Sequence, residues 1–124
     1  MTTVNPTAID QDSLGGDDYI VGRRWALTTA NPDGAPVTKP LHSDRTFVAT
    51  GTWGGATLTI EGSADGATYV ALKDVNGSAA TLSANGAIHI QNVPRYMRPN
   101  LTTVGAGATV AVDMLARRAT DLRT

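Results

Sequence analysis

The chain has 124 residues, no cysteine and a formal net charge of −1 at pH 7. This length fits one domain with a single core, and the absence of cysteine excludes disulfides and thiolate metal sites. The nearly neutral charge provides no field that would attract nucleic acid or an anionic membrane, so neither is expected as a partner. With 13 glycines and 5% aromatic residues, the core is thin, and we expect contacts between subunits to supplement it.

Residues 1–18 are polar and acidic and show no periodic apolar face. They have neither the basic start nor the apolar run of a signal peptide. No stretch of the chain approaches the roughly 20 apolar residues of a membrane-spanning helix. Two interpretations stay open, a frayed terminus and an arm that becomes ordered against a neighbouring subunit. We therefore predict a flexible N-terminal arm over residues 1–18.

Residues 50–74 form the clearest structural unit of the sequence, a β-hairpin with an Asp65-Gly66 turn. Apolar and polar residues alternate in both of its arms, which predicts one dry face and one wet face. A hairpin alone is marginal in water, so its dry face has to pack against other strands. Glu61 is expected on the wet face.

The remaining chain supplies further short strand-like segments. Outside the hairpin they are residues 19–29, 35–41, 44–51, 79–83, 87–91, 95–104 and 108–115. The residues predicted to be buried are Ile20, Trp25, Leu27, Leu58, Ile60, Val70, Leu72, Val110, Val112 and Met114. Segment 35–41 is bracketed by two prolines, which predicts an edge strand or an extended connection.

Asp-Gly and Asn-Gly pairs begin at positions 33, 65, 76 and 85, and such pairs tolerate the positive φ angles of tight hairpins. No segment shows a sustained helical period. We therefore predict an all-β fold, an antiparallel β-sandwich or jelly roll with an extended N-terminal arm. The sandwich domain is expected over residues 19–118 with a C-terminal tail at 119–124, and the basic stretch from residue 116 onwards is expected to be exposed.

No catalytic pattern is present in the sequence. His42 follows a proline-containing loop, and His89 lies between two isoleucines, so both are expected at the surface. No serine lies in a Gly-x-Ser-x-Gly elbow, and Glu61 is the only glutamate, so a glycosidase pair would need an aspartate such as Asp113 across a cleft. There is no phosphate-binding loop. We expect no enzymatic activity, no cofactor and no metal.

Eight of the ten basic residues are arginines, and six of these lie in three groups of two. With Trp53 they are the candidate contact residues: Arg23, Arg24, Arg95, Arg98, Arg117 and Arg118. Salt pairs within or between subunits are one interpretation, and a nucleic-acid face is the other, although it would need interleaved aromatics. Trp53 either lies as a lid over one end of the sandwich or joins Trp25, Tyr69 and Tyr96 in a sugar-binding platform.

If Arg23 and Arg24 lie on a strand, they point to opposite faces, so one of them turns toward the core or a neighbour. An inward arginine needs an oxygen partner, and the candidates are Asp44, Asp113 and Glu61.

Four motifs at 51–55, 60–66, 93–99 and 115–118 read Gly-Thr-Trp-Gly-Gly, Ile-Glu-Gly-Ser-Ala-Asp-Gly, Val-Pro-Arg-Tyr-Met-Arg-Pro and Leu-Ala-Arg-Arg. Together they resemble a group of small structural proteins of tailed bacteriophages, the jelly-roll head decoration or cement proteins. The resemblance covers about residues 44–118 and leaves the arm outside. It implies a non-enzymatic protein on the exterior of the virion, made in the host cytoplasm, that bridges subunits of the major capsid protein as a dimer or trimer.

Two alternatives stay open beside head decoration. The first is a structural protein of the phage neck, tail or baseplate, which would use the same inert fold. The second is a carbohydrate-binding module on the virion surface that uses Trp53 and Tyr69.

Overall fold

The computed structural model describes residues 3–8, 20–38, 44–90, 94–103 and 106–117. These residues contain nine strands and no helix, which confirms the all-β prediction. The strands are β1 (Thr7–Ala8), β2 (Ile20–Thr28), β3 (Asp44–Thr52), β4 (Thr57–Ser63), β5 (Val70–Ala71), β6 (Thr81–Leu82), β7 (Gly86–His89), β8 (Tyr96–Thr103) and β9 (Thr109–Arg117).

Sheet I contains five strands in the order β1-β2-β9-β3-β7, all antiparallel. Its centre is β9, whose Thr109 to Arg117 pair along their whole length with β2 on one side and β3 on the other. In β9 the buried Val110, Val112, Met114 and Ala116 alternate with exposed or half-buried residues, as expected of a strand with one face buried. The C-terminal strand of the fold is therefore also the strand that holds sheet I together.

Sheet II is built around β4. Strand β8 pairs along β4 from Thr57 to Ser63, while β5 and β6 pair with different residues of β4. A strand has two edges, so β5 and β6 share the edge opposite β8. The far edge of β8 is covered by residues 33–37, which form isolated bridges with Asn100 and Met97. The extended connection predicted for residues 35–41 is thus confirmed as far as the structure describes it.

The chain crosses repeatedly between the two sheets, which pack face to face as an antiparallel β-sandwich. Strand β2 lies in sheet I, residues 33–37 lie beside sheet II, β3 returns to sheet I, and β4 to β6 belong to sheet II. Strands β7, β8 and β9 then alternate between the sheets. This connectivity is compatible with a jelly roll but does not confirm it, because residues 33–37 form separate bridges rather than a continuous strand.

The core lies between the sheets and follows the period-two pattern of the strands. Trp25 and Phe47 stack at its centre, with ring centroids 6.2 Å apart and an interplanar angle of 29°. Of the residues predicted to be buried, those confirmed are Trp25, Leu27, Leu58, Ile60, Leu72, Val110, Val112 and Met114. The side chain of Ile20 lies outside the described part of the structure.

The burial predicted for Val70 is wrong, since this side chain is 61% exposed. Val70 pairs with Gly62, and β5 ends one residue later. The space beside Gly62 is already filled, because Leu72 and Pro94 approach the position that a Cβ of residue 62 would take. The alternation therefore holds from Ala71 onwards, with Leu72 in the core, and it fails at Val70.

Two polar residues of β4 are more buried than expected, since Thr59 was predicted on the wet face and Ser63 in the turn. Thr59 and Ser63 are buried, although both alternate with the core residues of the strand. Strand β4 is flanked on both edges, so side chains of its neighbours cover its outer face. Thr59 Oγ1 lies 3.1 Å from Thr102 Oγ1 on β8. This hydrogen bond takes the place of the one that Thr59 would make to water on an edge strand.

Only two of the four predicted Gly turns require a positive φ angle. Gly66 and Gly77 have φ angles of +81° and +83°, which glycine adopts without steric cost. The backbone N–H of Gly77 donates to Asp74 O at 3.0 Å, which closes the second turn. Gly34 and Gly86 are not among the glycines with positive φ, because these residues lie in paired, extended segments.

Residues 3–8 of the predicted arm lie against the sandwich. Val4 forms a parallel bridge with Gly34, and β1 pairs with Arg23 and Arg24 at the edge of β2. The alternation of apolar residues does not predict this docking, because residues 3–8 are attached mainly by backbone hydrogen bonds. Residues 9–18 and the tail at 119–124 lie outside the described residues. At the other terminus, Ala116 was expected to be exposed but is fully buried as the last core residue of β9.

Candidate interaction surfaces

The outer face of sheet I is broad and poor in charge. Its side chains form cross-strand rows through the registers of β2, β9, β3 and β7. Where the side chains are described, these rows are Gly22–Leu115–Thr46–His89, Arg24–Asp113–Val48–Ala87, Ala26–Ala111–Thr50 and Thr28–Thr109–Thr52, and the exposed Arg117 lies beyond them at the end of β9. Val48 is 43% exposed and Leu115 is 54% exposed. Most other side chains in the rows are alanines and threonines, so the face is largely uncharged apart from the paired Arg24 and Asp113 and the terminal Arg117.

Arg24 and Asp113 form an ion pair within these rows. Arg24 Nε donates to Asp113 Oδ1 at 2.6 Å, and Nη2 donates to Oδ2 at 2.8 Å. These hydrogen bonds, with the opposite charge, raise the pKa of Arg24 above its ordinary value. The two-bond geometry fixes the two side chains relative to each other, and their opposite charges compensate. Asp113, a candidate partner for an inward arginine, thus pairs with the outward Arg24.

The outer face of sheet II carries a polar cluster formed by Glu61, Tyr69, Arg98 and Asn100. Arg98 Nε donates to Glu61 Oε1 at 3.0 Å, the ion pair brings Arg98 Nη2 to 3.0 Å from the same oxygen, and Asn100 Nδ2 donates to it at 3.2 Å. The Arg98 guanidinium also lies 4.0 Å from the centroid of the Tyr69 ring. Glu61 is therefore half-buried rather than freely exposed, and one face of Tyr69 is covered.

Asn100 Oδ1 is the one buried side-chain polar atom without a hydrogen-bond partner among the described residues. An unpaired buried acceptor costs about 1–3 kcal/mol. The Asn100 amide group is held in place by its bond to Glu61, so the polar cluster keeps its arrangement in spite of that cost.

Sequence reasoning missed Arg45, which is fully buried between the sheets. Its Nη1 lies 3.6 Å from Met97 Sδ, and burial lowers its pKa to about 10. The sequence contains an indication of this burial, because Arg45 lies two positions before Phe47 and therefore points to the same, inward face of β3. The guanidinium remains protonated at neutral pH, so the core of the sandwich contains a cation.

Trp53 lies at one end of the sandwich and packs, half-buried, against the edge of the core. Its Nε1 donates to Asn85 Oδ1 at 2.8 Å, and the backbone N–H of Gly51 donates to the same oxygen at 3.0 Å. This position agrees with the interpretation of Trp53 as a lid over one end of the sandwich. Trp25 is fully buried, with its Nε1 donating to Ala35 O at 2.9 Å, so it cannot belong to a sugar-binding platform.

The structure does not gather the candidate arginines into one patch. Arg23 is half-buried, and its Nη1 donates to the carbonyl oxygen of Gly22 at 2.8 Å. Arg95 is exposed, and its guanidinium lies 5.8 Å from the Tyr96 centroid. Arg117 is exposed at the end of β9, and Arg118 lies outside the described residues. The candidate arginines thus divide between the two sheets: Arg117 ends β9 in sheet I, and Arg95 directly precedes β8 in sheet II.

The two carboxylates considered for a glycosidase pair lie in different sheets, Glu61 on β4 and Asp113 on β9. His89 is exposed on β7, as predicted, while His42 lies outside the described residues. Within the described ranges, no group of three or more His, Cys, Asp or Glu side chains could hold a metal ion. Among the same residues, no helix is long and apolar enough to cross a membrane.

The Asp65 turn contains a carboxylate with a strongly lowered pKa. Asp65 Oδ1 accepts hydrogen bonds from the backbone N–H groups of Thr68 and Ala67 and from the Ser63 hydroxyl. These bonds favour the charged form and lower the pKa of Asp65 to about 2. The three donors belong to the turn itself, so the role of this carboxylate is structural.

Comparison with known proteins assigns no family: the sequence matches no protein-family model and no curated protein.

Proposed function

We propose that this chain is a non-enzymatic structural protein of a tailed-phage virion that decorates the head and stabilises it by bridging major capsid protein subunits. The outer face of sheet I is the proposed contact surface. Arg24 and Asp113 neutralise each other there, and the exposed Val48 and Leu115 provide apolar contact area. Depletion of charge with scattered apolar side chains is typical of the centre of a protein–protein interface.

The fold supports a passive mechanical role. Sheet I is continuous from β1 to β7, and residues 33–37 cover the far edge of β8, so a load on the outer face is distributed over the whole sandwich. Counting residues 33–37 as a strand would give the alternation of a jelly roll, and that topology is part of the proposal. On a symmetric shell, many copies of a modest contact produce strong retention through effective concentration.

The proposal carries the expectations that follow from the resemblance. The protein acts on the exterior of the virion, associates as a dimer or trimer, and needs no cofactor. It binds neither nucleic acid nor membrane. A position at the neck, tail or baseplate would use the same fold, and only the number of copies separates the two locations.

The first experiment is to measure the copy number of this chain per purified particle, by quantitative mass spectrometry against the major shell protein. A ratio near a simple fraction of the shell subunits supports head decoration. A handful of copies per particle would move the protein to the neck or tail. Absence from the particle would overturn the structural role.

A matched pair of variants tests the contact face. Val48 and Val70 are both exposed valines, but Val48 lies on sheet I and Val70 lies on sheet II. Val48→Lys places a charge on the proposed contact face, so head occupancy should fall at least tenfold. Val70→Lys should leave occupancy unchanged, and both variants should keep the wild-type melting temperature. Equal occupancy for the two variants would show that the outer face of sheet I does not contact the shell.

A further inference from the structure

Residues 3–8, here called the N-terminal segment, join the two sheets through backbone hydrogen bonds. The Val4 N–H donates to Asp33 O at 2.8 Å, and the Ala35 N–H donates to Val4 O at 2.7 Å. Thr7 and Ala8 pair antiparallel with Arg24 and Arg23 of β2. The segment therefore occupies a strand-binding site formed by the edge of β2 and residues 33–35, in the manner of an extended peptide added to a sheet.

The attachment of this segment is shallow compared with the core. Val4 is half-buried against the core cluster, whereas Thr3, Asn5 and Thr7 are exposed. Its strand β1 is only two residues long. Few buried apolar contacts and exposed backbone bonds place a segment at the low end of local stability. The N-terminal segment should therefore open far more often than β2 or β9.

The connection between the segment and β2 is much longer than its position requires. Residues 9–19, eleven residues, link Ala8 to Ile20. Ala8 pairs with Arg23, so Ile20 lies three residues further along the neighbouring strand, roughly 11 Å away. Eleven residues can span roughly 36–40 Å. The N-terminal segment can therefore reach a second copy of the chain as well as its own sandwich.

We infer that the N-terminal segment is exchangeable, and that its site on β2 and residues 33–35 also accepts residues 3–8 of a second copy of this chain. In the exchanged dimer each sandwich keeps the same backbone hydrogen bonds, so the exchange needs no new surface. Opening without replacement would leave the edge of β2 unpaired, and such edges readily accept another strand. This inference concerns the chain alone and does not depend on the head-binding proposal.

Concentration decides which arrangement dominates. A linker of about eleven residues gives the chain's own segment an effective concentration in the millimolar range. Exchange should therefore be a minor state at roughly 10 µM and should become comparable with the closed monomer near 1 mM. Close packing of copies on a surface would have the same effect as high concentration in solution.

An engineered disulfide tests the exchange in the full-length chain, which has no native cysteine. Thr7 and Arg24 are cross-strand partners with exposed side chains, and such partners lie about 4.5–5.5 Å apart, within disulfide range. Thr7→Cys/Arg24→Cys protein, an equal mixture of ¹⁴N- and ¹⁵N-labelled chains, is incubated at about 10 µM and about 1 mM and then oxidised. Mass spectrometry of the cross-linked peptides that contain positions 7 and 24 shows whether each disulfide joins one chain or two.

We expect bonds within one chain at the low concentration and a substantial fraction of mixed-isotope bonds at the high one. Thr46→Cys/Leu115→Cys, a cross-strand pair between β3 and β9, is the control and should give bonds within one chain at both concentrations. Mixed bonds in the first pair but not in the control support exchange. Disulfides between positions 7 and 24 that stay within single chains at the high concentration would overturn the inference, and so would equal mixing in both pairs.

Discussion

Val112→Ala is the sharpest test of the face assignment in sheet I. Val112 is fully buried on β9, with Trp25 and Ala49 as its cross-strand partners. The substitution removes two buried carbon atoms at about 0.8 kcal/mol each, and the remaining cavity adds to that loss. We expect the free energy of unfolding to fall by about 2–3 kcal/mol. For a domain of this size, this corresponds to a decrease in melting temperature of roughly 6–12 °C.

Val48→Ala is the matched control, because Val48 lies on the adjacent strand β3 but faces outward. It should change the free energy of unfolding by less than about 0.5 kcal/mol. Both variants are measured by urea denaturation and by thermal circular dichroism at a concentration where the wild type is monomeric. Equal losses for the two variants, or a larger loss for Val48→Ala, would refute the assignment of inward and outward faces. Val112→Asp and Leu58→Asp should fail to fold, since each places an unpaired carboxylate in the core.

Three further predictions concern the polar contacts. The pKa of Asp65 is lowered to about 2 from 3.8, so its stabilising effect is complete above about pH 4 and is lost as the pH falls toward 2. Asp65→Asn should remove this part of the acid dependence from denaturation curves measured between those pH values. Arg98→Ala should lower the free energy of unfolding by about 1–2 kcal/mol, because it leaves the half-buried Glu61 without its guanidinium partner. If the Arg98→Ala/Glu61→Gln double variant lost the sum of the two single effects, Arg98 and Glu61 would not be coupled. Asn85→Ala removes the hydrogen-bond acceptor of Trp53 Nε1, so the fluorescence of Trp53 should shift to longer wavelength while that of the buried Trp25 changes little. An unchanged emission spectrum would count against the position of Trp53 as a lid.

The hairpin of residues 50–74 shows where sequence patterns succeed and where they stop. Leu58 and Ile60 are buried as predicted, because β4 is long enough for its alternation to match the pleat. Val70 fails because the second arm of the hairpin has only two paired residues, and a side chain already occupies the space at Gly62. A short strand carries too few residues for its own pattern to decide which face is buried.

Charged side chains were harder to place than apolar ones. The sequence indicated that one of Arg23 and Arg24 turns inward and needs an oxygen partner, but Arg45 was missed. The fully buried arginine is Arg45, at the start of β3, whereas Arg24 pairs on the surface with Asp113, 89 positions away along the chain. Pairing at such a separation follows from the register of β2 against β9, which no local pattern contains.

The sequence by itself determined the fold class, the main strands and most of the core, because period-two alternation and Asp-Gly or Asn-Gly turns are local properties of the chain. The tertiary structure alone decided the strand order, the pairing of Arg98 with Glu61, the burial of Thr59 and Arg45, and the docking of residues 3–8. Each of these depends on which strands become neighbours, and that choice follows from the packing of two sheets rather than from any single segment.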